Sequence, residues 1–388
     1  MHGQWDVCPK FTTPFSNEHA ISCMIPISFK LTTPGCKTDV WIKAGILSEI
    51  AALLPEDHRP ASAMVITDSN VGPLYADRVQ NSLRSSGLET QTCTFEAGEG
   101  SKTIQTASRI FAFLADAKLP RDGLIVALGG GVVGDLAGFV AGTWMRGVSW
   151  INCPTTMEAD VDAALGGKTA VNLSGGKNLV GVFHHPIAVA VDPDYLSTLP
   201  PRDVRAGLAE SIKHALLDSP EVVAWHEKNG SNILALEPST ITELIERNLQ
   251  FKGQIVSEDP QEHLGRRILL NFGHTLGHAI ESSSEGTLRH GECVSLGMLA
   301  ACRISRRAGL LGAEEVEQVR RTLDLFELPT RLNHPFDKDR VLQSLPLDKK
   351  NTDGKMRLVL LQGIGSPIVR NDIALHWIAD AYDSLLAT

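Results

Sequence analysis

One strand-to-helix junction constrains the fold of this chain more than any other feature. The apolar run Leu124–Leu128 leads directly into Gly129–Asp135, with the sequence GGGVVGD, and a helix-like segment follows. Glycines at such a junction allow the backbone to approach a pyrophosphate, while the start of the helix supplies N–H groups and the positive end of its dipole. The pattern is GGGxxGD and not the GxGxxG of the Rossmann fingerprint. It indicates an α/β architecture with an anion-binding turn.

Strand-like and helix-like segments alternate upstream of that junction. Ala63–Thr67 is typical of a buried strand, and a helix-like run follows around Tyr75–Arg84. Thr92–Phe95 and Thr103–Leu114 repeat the pair. Such βαβα alternation predicts a parallel sheet with helices on its faces, in which ligands bind beyond the carboxyl ends of the strands.

Polar residues follow two of these predicted strands. Asp68 and Asn70 come after the first one, within the turn-forming segment DSNVG, while Glu99 and Lys102 come after the next, within EAGEGSK. The carboxyl ends of parallel strands meet at one edge of a sheet, so these four residues are candidates to join the glycine-rich turn in a binding site.

Two lysines further along each follow a pair of glycines. They are Lys168, in GGKTAVN, and Lys177, in GGKNLVG, and both Asp162 and Asn172 lie nearby. A lysine beside glycines on a tight turn can reach an anion without steric obstruction, which suits the recognition of phosphate or carboxylate. These lysines are therefore candidate ligands of an anionic substrate or cofactor.

The segment TLPPRD, residues 198–203, marks a predicted domain boundary. Beyond it the pattern is almost entirely helical, with predicted helices over residues 204–217, 241–256, 274–284 and 294–308. We therefore expect a loose N-terminal tail over residues 1–22, an α/β domain over residues 23–198 and a helical domain over residues 199–388.

The helical part contains a candidate metal site. The helix-like run Ile268–Ile280 carries His274 and His278 at positions i and i+4, which places both imidazoles on one face of a helix. His290 follows in RHGE, and Glu210 lies far upstream in GLAE. Three histidines and a carboxylate that converge are able to hold a catalytic divalent metal with one position open for substrate.

Composition excludes several classes of protein. The formal net charge of −9 argues against a general nucleic-acid binder. The seven cysteines are scattered and form no CxxC pair, which argues against a disulfide framework or a structural zinc knuckle. No apolar run reaches the length of a membrane span, and the N-terminal residues lack the pattern of a signal peptide. These features predict a cytoplasmic protein with reduced thiols.

Several segments, taken together, carry a family resemblance. They are GGGVVGDLAGF, PTT, VDAALGGKTAVN, GGKNLVG, TLPPRDVRAGLAESIKHAL, RRILLNFGHTLGHAIE, RHGE and DKKNTDGK. In this order, from about residue 40 to 370, the chain resembles the 3-dehydroquinate synthase family of the sugar-phosphate cyclase superfamily. The resemblance implies an N-terminal Rossmann-like parallel α/β domain that binds NAD and a C-terminal helical domain that binds the metal, with the active site between them.

The resemblance also implies a reaction and an assembly. Members of the family convert 3-deoxy-D-arabino-heptulosonate 7-phosphate to 3-dehydroquinate and phosphate in the shikimate pathway. The steps are transient oxidation by NAD, phosphate elimination, re-reduction and an intramolecular aldol closure. The family is homodimeric, and Arg146 would reach a substrate phosphate in the neighbouring subunit.

Site residues follow from the matched motifs. The metal, zinc or cobalt, would bind Glu210, His274 and His290, whereas His278 would point into the substrate pocket. The implied NAD contacts are Asp68, Asn70, Glu99, Lys102, Gly130, Gly131, Val132, Asp135, Thr155, Thr156, Lys177, Asn178 and Thr198. The implied catalytic residues are Asp162, Lys168, Lys213, Asn271 and His278. The implied substrate-binding residues are Arg146, Asn178, Lys252, Arg267, Lys349 and Lys350.

Three further classes of protein remain compatible with the sequence. Arg267, Asn271 and Lys252 favour a substrate with a carboxylate, but Ala163-Ala164 and His184-His185 depart from the family pattern. Those departures are compatible with a cyclase of secondary metabolism, such as an aminodehydroquinate, 2-deoxy-scyllo-inosose or 2-epi-5-epi-valiolone synthase. The second class is a group III metal-dependent alcohol dehydrogenase, which shares the two-domain plan, and the third is a non-catalytic NAD-binding protein.

Overall fold

A computed structural model describes residues 27–33, 36–54, 60–345 and 355–386. Two of the expectations above fall outside the described residues: the N-terminal tail over residues 1–22 and the lysine pair Lys349 and Lys350.

A parallel sheet dominates the first half of the chain. The strands in this half are β1 (Ile27–Thr33), β2 (Cys36–Ile42), β3 (Ser62–Asp68), β4 (Glu89–Phe95), β5 (Leu124–Gly129), β6 (Ser149–Pro154), β7 (Lys168–Leu173), β8 (Gly176–Phe183) and β9 (Ala188–Val191). Seven of them form one sheet in the order β1-β2-β9-β6-β5-β3-β4. Each neighbouring pair in it is parallel except β1 and β2, which confirms the predicted parallel sheet.

The centre of this sheet is covered on both faces. Every residue of β5 is buried, and its side chains alternate between two apolar clusters. Leu124, Val126 and Leu128 belong to one cluster, and Ile125 and Ala127 to the other. Strands with two covered faces are continuous apolar runs, and this explains why LIVAL is recognisable from sequence. The helices of this half are α1 (Gly72–Ser85), α2 (Ile104–Asp116) and α3 (Gly131–Thr143).

The strands β7 and β8 stand outside the main sheet. They pair with each other as an antiparallel hairpin, in which Lys168 lies opposite Phe183. The hairpin packs on α3, since a Cβ at Gly138 would lie 2.4 Å from Thr169 Cγ2. Both glycine-flanked lysines are therefore on one hairpin: Lys168 begins its first strand and Lys177 lies at the start of its second.

The second half of the chain is a set of helices with one hairpin. The helices are α4 (Pro201–Asp218), α5 (Pro220–Leu234), α6 (Pro238–Glu258), α7 (His274–Ser283), α8 (His290–Arg307), α9 (Ala313–Leu325), α10 (Lys338–Gln343) and α11 (Leu375–Leu386). The hairpin consists of β10 (Lys355–Leu361) and β11 (Pro367–Ala374), which the almost entirely helical expectation missed. Among the described residues, no helix is long and apolar enough to cross a membrane.

The helix that carries the two spaced histidines begins at His274, as predicted, but the helix-like run Ile268–Ile280 is not one continuous helix. Residues Arg267–Asn271 form a short 3-10 turn, and Gly273 then adopts a left-handed conformation with φ of 78°. The α-helix starts only at His274. The apolar run Ile268–Ile280 is therefore two elements joined by Gly273. Glycine suits this position because a residue with a side chain would be strained at that φ.

The start of α7 touches the middle of α8 through their backbones. A Cβ at Gly297 would lie 1.9 Å from the carbonyl oxygen of Gly273. The atoms nearest to that Cβ position belong to the backbone, so no side-chain rotation would make room for it. The contact fixes the spacing of the two helices beside His274, the first residue of α7.

We predict that Gly297→Ala destabilises the protein. The added methyl group must push α7 and α8 apart, and overpacking of this kind costs about 1–3 kcal/mol. Thermal unfolding should show a lower Tm than the wild type. Gly100→Ala is the matched control, since a Cβ at Gly100 meets no atom within 4 Å. Equal Tm values for both variants would contradict the prediction.

Candidate active site

The structure brings the four predicted metal-site residues together. The Nε2 atoms of His274 and His290 lie 3.5 Å and 3.4 Å from the same oxygen, Oε1 of Glu210. The ring of His278 lies 5.0 Å from that of His274 and 5.6 Å from that of His290, measured between centroids. Glu210 is fully buried, whereas His278 is exposed. His274 and His290 are partly buried, and the ligand atoms of all three histidines lie within 4.8 Å of one another.

The chemistry of this group fits a divalent cation. Among the described residues, Glu210 Oε1 has no hydrogen-bond partner. Burial opposes the charged form of Glu210, but Lys213 and His274 outweigh it and lower the pKa of the carboxyl to about 2. Burial also lowers the pKa of His274 to about 3, so its imidazole is neutral. An ionised carboxylate and neutral imidazole nitrogens are the donors that zinc and cobalt take.

His290 is held by carboxylates on several sides. Burial disfavours its charged form, but Glu158, Glu210 and Glu281 outweigh that effect and raise the pKa of the imidazole well above its usual value. Glu281 accepts from His290 Nδ1 across 2.9 Å, which leaves Nε2 directed at Glu210. The concentration of negative charge around a partly buried imidazole is a further property of a cation site.

Glu281 is a site residue that the sequence reasoning missed. It stands at i+7 from His274, after His278 at i+4, so all three lie on one face of α7. Its second oxygen accepts from Lys177 Nζ at 2.7 Å. The spacing HxxxHxxE was the available signal, and only its histidines were interpreted.

A second charged cluster adjoins the metal-site residues. Asp162 lies in a short π-helical turn, Ala159–Ala163, and forms ion pairs with Lys213, at 3.0 Å, and with Lys252. Lys213 also forms an ion pair with Glu210, which links the two clusters. Burial raises the pKa of Asp162, but the two lysines outweigh it and hold that pKa well below its usual range. Glu210 and Lys213 are both buried, each with 1% of its surface exposed.

Arg267 lies against the same cluster. Its Nη1 donates to the carbonyl oxygens of Gly166 and Pro260, both at 3.0 Å. A Cβ at Gly166 would lie 2.7 Å from Arg267 Nη2 and 3.6 Å from Lys252 Cε. Two buried cationic side chains therefore meet over one glycine, next to Asp162.

Most of the predicted cofactor contacts lie at the carboxyl ends of the strands. Asp68 ends β3, and its carboxylate accepts from the backbone N–H groups of Asn70 and Val71, each at 2.9 Å. Lys102, which follows β4, forms a partly buried ion pair with Asp135 of α3. Five further residues follow β5 and β6 at the same edge: Gly130, Gly131, Val132, Thr155 and Thr156.

The remaining cofactor candidates lie around this edge. Glu99 accepts from the Nδ2 group of Asn172 at 2.7 Å, which ties the turn after β4 to the hairpin of β7 and β8. Asn178 has a left-handed backbone with φ of 56° and is exposed on β8. The hydroxyl of Thr198 lies 2.6 Å from that of Tyr75 on α1.

Three predicted residues lie apart from the buried clusters. Lys168 is half exposed and forms an ion pair with Glu262. Asn271 is exposed at the end of the turn before α7. Arg146 is exposed in the turn after α3, about 20 Å along that helix from Gly131 at the usual rise per residue. The structure does not bring Arg146 to the clusters of its own chain.

Comparison with solved structures identifies the class of protein. A 2-deoxy-scyllo-inosose synthase complexed with carbaglucose-6-phosphate, NAD+ and Co2+ matches with a TM-score of 0.85 at 27% identity, over 93% of this chain and 100% of that one. A 2-epi-5-epi-valiolone synthase from Streptomyces hygroscopicus subsp. jinggangensis, with NAD+ and Zn2+ bound, matches with a TM-score of 0.81 at 27% identity, over 94% and 99%. The fold, an α/β part followed by a helical part, is that of the sugar-phosphate cyclases.

Sequence comparison narrows the class to one family. The N-terminal and C-terminal models of 3-dehydroquinate synthase match residues 92–206 and 207–351. A 3-dehydroquinate synthase from Desulforamulus reducens is 42% identical over 335 residues, which is 86% of this chain and 93% of the relative. This chain belongs to the 3-dehydroquinate synthase family.

A buried hydrogen-bond network supports α4 behind the charged clusters. Ser211 Oγ lies 2.8 Å from His226 Nε2 and accepts from Asn248 Nδ2 at 2.8 Å. Asn248 Oδ1 in turn lies 2.9 Å from His214 Nδ1. Burial lowers the pKa of His226 and of His214 to about 4, so both imidazoles are neutral in the folded protein at neutral pH. Ser211 and His214 flank Lys213, and the network therefore fixes the helix turn that carries it.

We predict that His226 makes the protein less stable in acid. Its folded pKa of about 4 lies below the unfolded value, so the unfolded chain binds more protons as the pH falls from 6.5 to 4. One such histidine lowers the free energy of unfolding by about 1.4 kcal/mol per pH unit in that window. Urea denaturation at several pH values should show a shallower decline for His226→Gln than for the wild type. His334→Gln, at an exposed histidine, is the control. Parallel declines for wild type and His226→Gln would refute the assignment.

Proposed function

We propose that this protein is a 3-dehydroquinate synthase, which converts 3-deoxy-D-arabino-heptulosonate 7-phosphate to 3-dehydroquinate and phosphate. The choice of substrate rests on one observation. The side chains of Lys252 and Arg267 both approach Gly166, beside the ion pair of Asp162 and Lys213. Two cationic side chains at one place suit a substrate that has a carboxylate as well as a phosphate. Membership of the 3-dehydroquinate synthase family supports the same substrate.

We propose that Glu210, His274 and His290 hold zinc or cobalt. Their convergence within 3.5 Å and the unpartnered Oε1 of Glu210 support this donor set. A bound metal would make a substrate hydroxyl more acidic. His278 is exposed beside these residues, and burial of part of its ring lowers the pKa of the imidazole. His278 is therefore neutral near pH 7 and is able to accept a proton from substrate or water.

The cofactor is proposed to be NAD, which supplies a reversible hydride acceptor. Its proposed contacts are the strand-edge residues Asp68, Asn70, Glu99, Lys102, Gly130, Gly131, Val132, Asp135, Thr155, Thr156, Lys177, Asn178 and Thr198. The glycine turn before α3 offers backbone N–H groups and a helix N-terminus to a pyrophosphate. The buried hydroxyl oxygen of Thr155 has no partner among the described residues and is available to a ligand at this edge.

The substrate is proposed to lie between the strand edge and the buried clusters. Lys213 and Lys252 would bind and orient it, together with Asp162, Lys168, Asn178, Arg267, Asn271 and one of Lys349 and Lys350. Both buried ammonium groups share Asp162 as their counterion, so an incoming anion finds positive charge that is already desolvated. Lys168 would exchange its ion pair with Glu262 for one with the substrate, at low cost because that pair is partly exposed.

Organisation and location complete the proposal. The chain would divide into a tail, residues 1–22, an NAD-binding domain, residues 23–198, and a helical domain, residues 199–388. It would act as a cytoplasmic homodimer in the shikimate pathway. The position of Arg146, exposed at the far end of α3, supports a role in the active site of the neighbouring subunit.

A direct assay distinguishes this reaction from those of secondary-metabolism cyclases and dehydrogenases. Purified protein with NAD+ and zinc would be given the heptulosonate phosphate, glucose 6-phosphate or sedoheptulose 7-phosphate, while phosphate release and NADH absorbance are followed. We expect phosphate from the heptulosonate phosphate only, with no net NADH. Phosphate from another sugar would indicate a cyclase of secondary metabolism, and steady NADH accumulation would indicate a dehydrogenase. Either result would overturn the proposal.

Loss of a metal ligand should abolish activity and leave the fold of the NAD-binding domain intact. Glu210→Ala and His274→Ala each remove a donor, and we expect both variants to lose stoichiometric zinc and measurable phosphate release. Circular dichroism and NAD+ titration should remain close to the wild type, because the strand edge is unchanged. Glu243→Ala, at an ion pair with Arg247 on the surface of α6, is the control. A metal-free variant with full turnover would disprove the assignment.

Arg267 should discriminate between substrates with and without a carboxylate. Arg267→Ala leaves that group without its charged partner, and we expect binding of the heptulosonate phosphate to weaken about 10- to 150-fold. Binding of sedoheptulose 7-phosphate, measured by the same calorimetric titration, should change much less. Arg266→Ala is the matched control, since Arg266 is exposed and paired with Glu258. Equal losses for both sugars would remove the reason to assign a carboxylate-bearing substrate.

A further inference from the structure

One carboxylate joins the metal-site residues to the hairpin of β7 and β8. Glu281 Oε2 lies 2.9 Å from His290 Nδ1, and Glu281 Oε1 accepts from Lys177 Nζ at 2.7 Å. Lys177 and Glu281 are 104 residues apart in the chain. Glu281 thus has one contact in each half of the molecule.

The contact with His290 determines which ring nitrogen faces the metal site. Because Glu281 is an acceptor, it keeps a proton on Nδ1, so the proton that a metal would displace is the one on Nε2, the atom that lies 3.4 Å from Glu210 Oε1. A carboxylate in this position also makes the ligand nitrogen more basic, and loss of such a partner usually weakens metal binding.

The contact with Lys177 is easily exchanged. The lysine side chain is 54% exposed, whereas that of Glu281 is 19% exposed. An ion pair with one solvated member contributes little, so an anion near the hairpin can draw the ammonium away from Glu281. Lys177 is also among the proposed contacts of the dinucleotide phosphates.

We propose that Glu281 is a positioning residue that couples metal binding to dinucleotide binding through Lys177. This inference rests on the proposed function, since it takes the dinucleotide as the anion that draws Lys177 away. When Lys177 moves to a phosphate, the full negative charge of Glu281 acts on His290 Nδ1–H, and Nε2 becomes a stronger donor. NAD+ should therefore tighten metal binding, and by linkage the metal should tighten NAD+ binding by the same factor.

The test measures metal affinity without turnover. Competition of Co2+ with a chromogenic chelator would give dissociation constants with and without saturating NAD+, and the visible spectrum of bound Co2+ would report the ligand field. Wild type should bind Co2+ more tightly with NAD+ than without it. Glu281→Gln should weaken Co2+ binding about 10- to 100-fold, shift the spectrum and lose the dependence on NAD+.

Two variants separate the role of the carboxylate from that of the lysine. Lys177→Met should bind Co2+ at least as tightly as wild type without NAD+, because Glu281 is then unshared, and should gain nothing from NAD+. Glu281→Asp should recover part of the affinity, since it restores the charge at a shorter reach. Glu285→Gln is the matched control, because Glu285 lies just beyond α7, is exposed and pairs with Arg340.

Three outcomes would overturn the inference. They are wild-type Co2+ affinity in Glu281→Gln, an equal loss in Glu285→Gln, and an undiminished NAD+ effect in Lys177→Met. None depends on the substrate, so failure here is distinguishable from failure of the proposed reaction. A wild-type protein that fails to bind NAD+ would refute both the coupling and the proposed cofactor, while the Co2+ affinity of Glu281→Gln would still decide whether Glu281 positions His290.

Discussion

The buried carboxylate of Glu210 is the group on which the arrangement of this site depends. A charge fully removed from water is costly unless opposite charges surround it. Here Lys213 contacts one oxygen, while the Nε2 atoms of His274 and His290 face the other. These partners come from three helices, α4, α7 and α8, so the requirement to compensate one carboxylate constrains how the helices are placed.

The same requirement extends into the rest of the site. Lys213 is shared between Glu210 and Asp162, and Asp162 is shared with Lys252. Each charge in this series is compensated by the next, so the loss of one member changes the electrostatic environment of its neighbour. The turn that carries Asp162 follows β6 of the parallel sheet, whereas Lys213 and Lys252 belong to helices of the second half. The charge series therefore crosses between the two halves of the molecule.

The features that sequence predicts well are those with a strong local pattern. The run LIVAL followed by glycines predicted β5 and the start of α3, and the spacing of His274 and His278 predicted their common face. Features without such a pattern were missed. The strands β1, β2 and β6, and the hairpin of β10 and β11, are defined by their pairing partners, and the break in the helix-like run Ile268–Ile280 depends on the left-handed Gly273.

Partners of charged side chains were the least predictable part of the site. Lys177 and Lys168 were recognised as anion-binding candidates from their glycine neighbours, but their present partners, Glu281 and Glu262, are 104 and 94 residues away in sequence. A single glutamate forms no periodic pattern in the sequence, so its position alone does not show whether its carboxylate pairs with another group or faces solvent. Only the folded structure, which brings distant segments together, shows which charges pair. The family resemblance implied roles for the two lysines but did not identify Glu281 or Glu262 as their partners.

The backbone contact between Gly273 and Gly297 has an electrostatic consequence. It joins the start of α7 to the middle of α8, and a Cβ at Gly277 would lie 3.0 Å from the carbonyl oxygen of Cys293, so the two helices run antiparallel. Peptide dipoles place roughly half a positive charge at the amino-terminal end of each helix, and antiparallel packing keeps these two ends apart. The dipoles of α7 and α8 therefore largely offset each other. The charge of a bound dication would be balanced by the carboxylates of Glu210, Glu281 and Glu158 around His290, and not by the orientation of these helices.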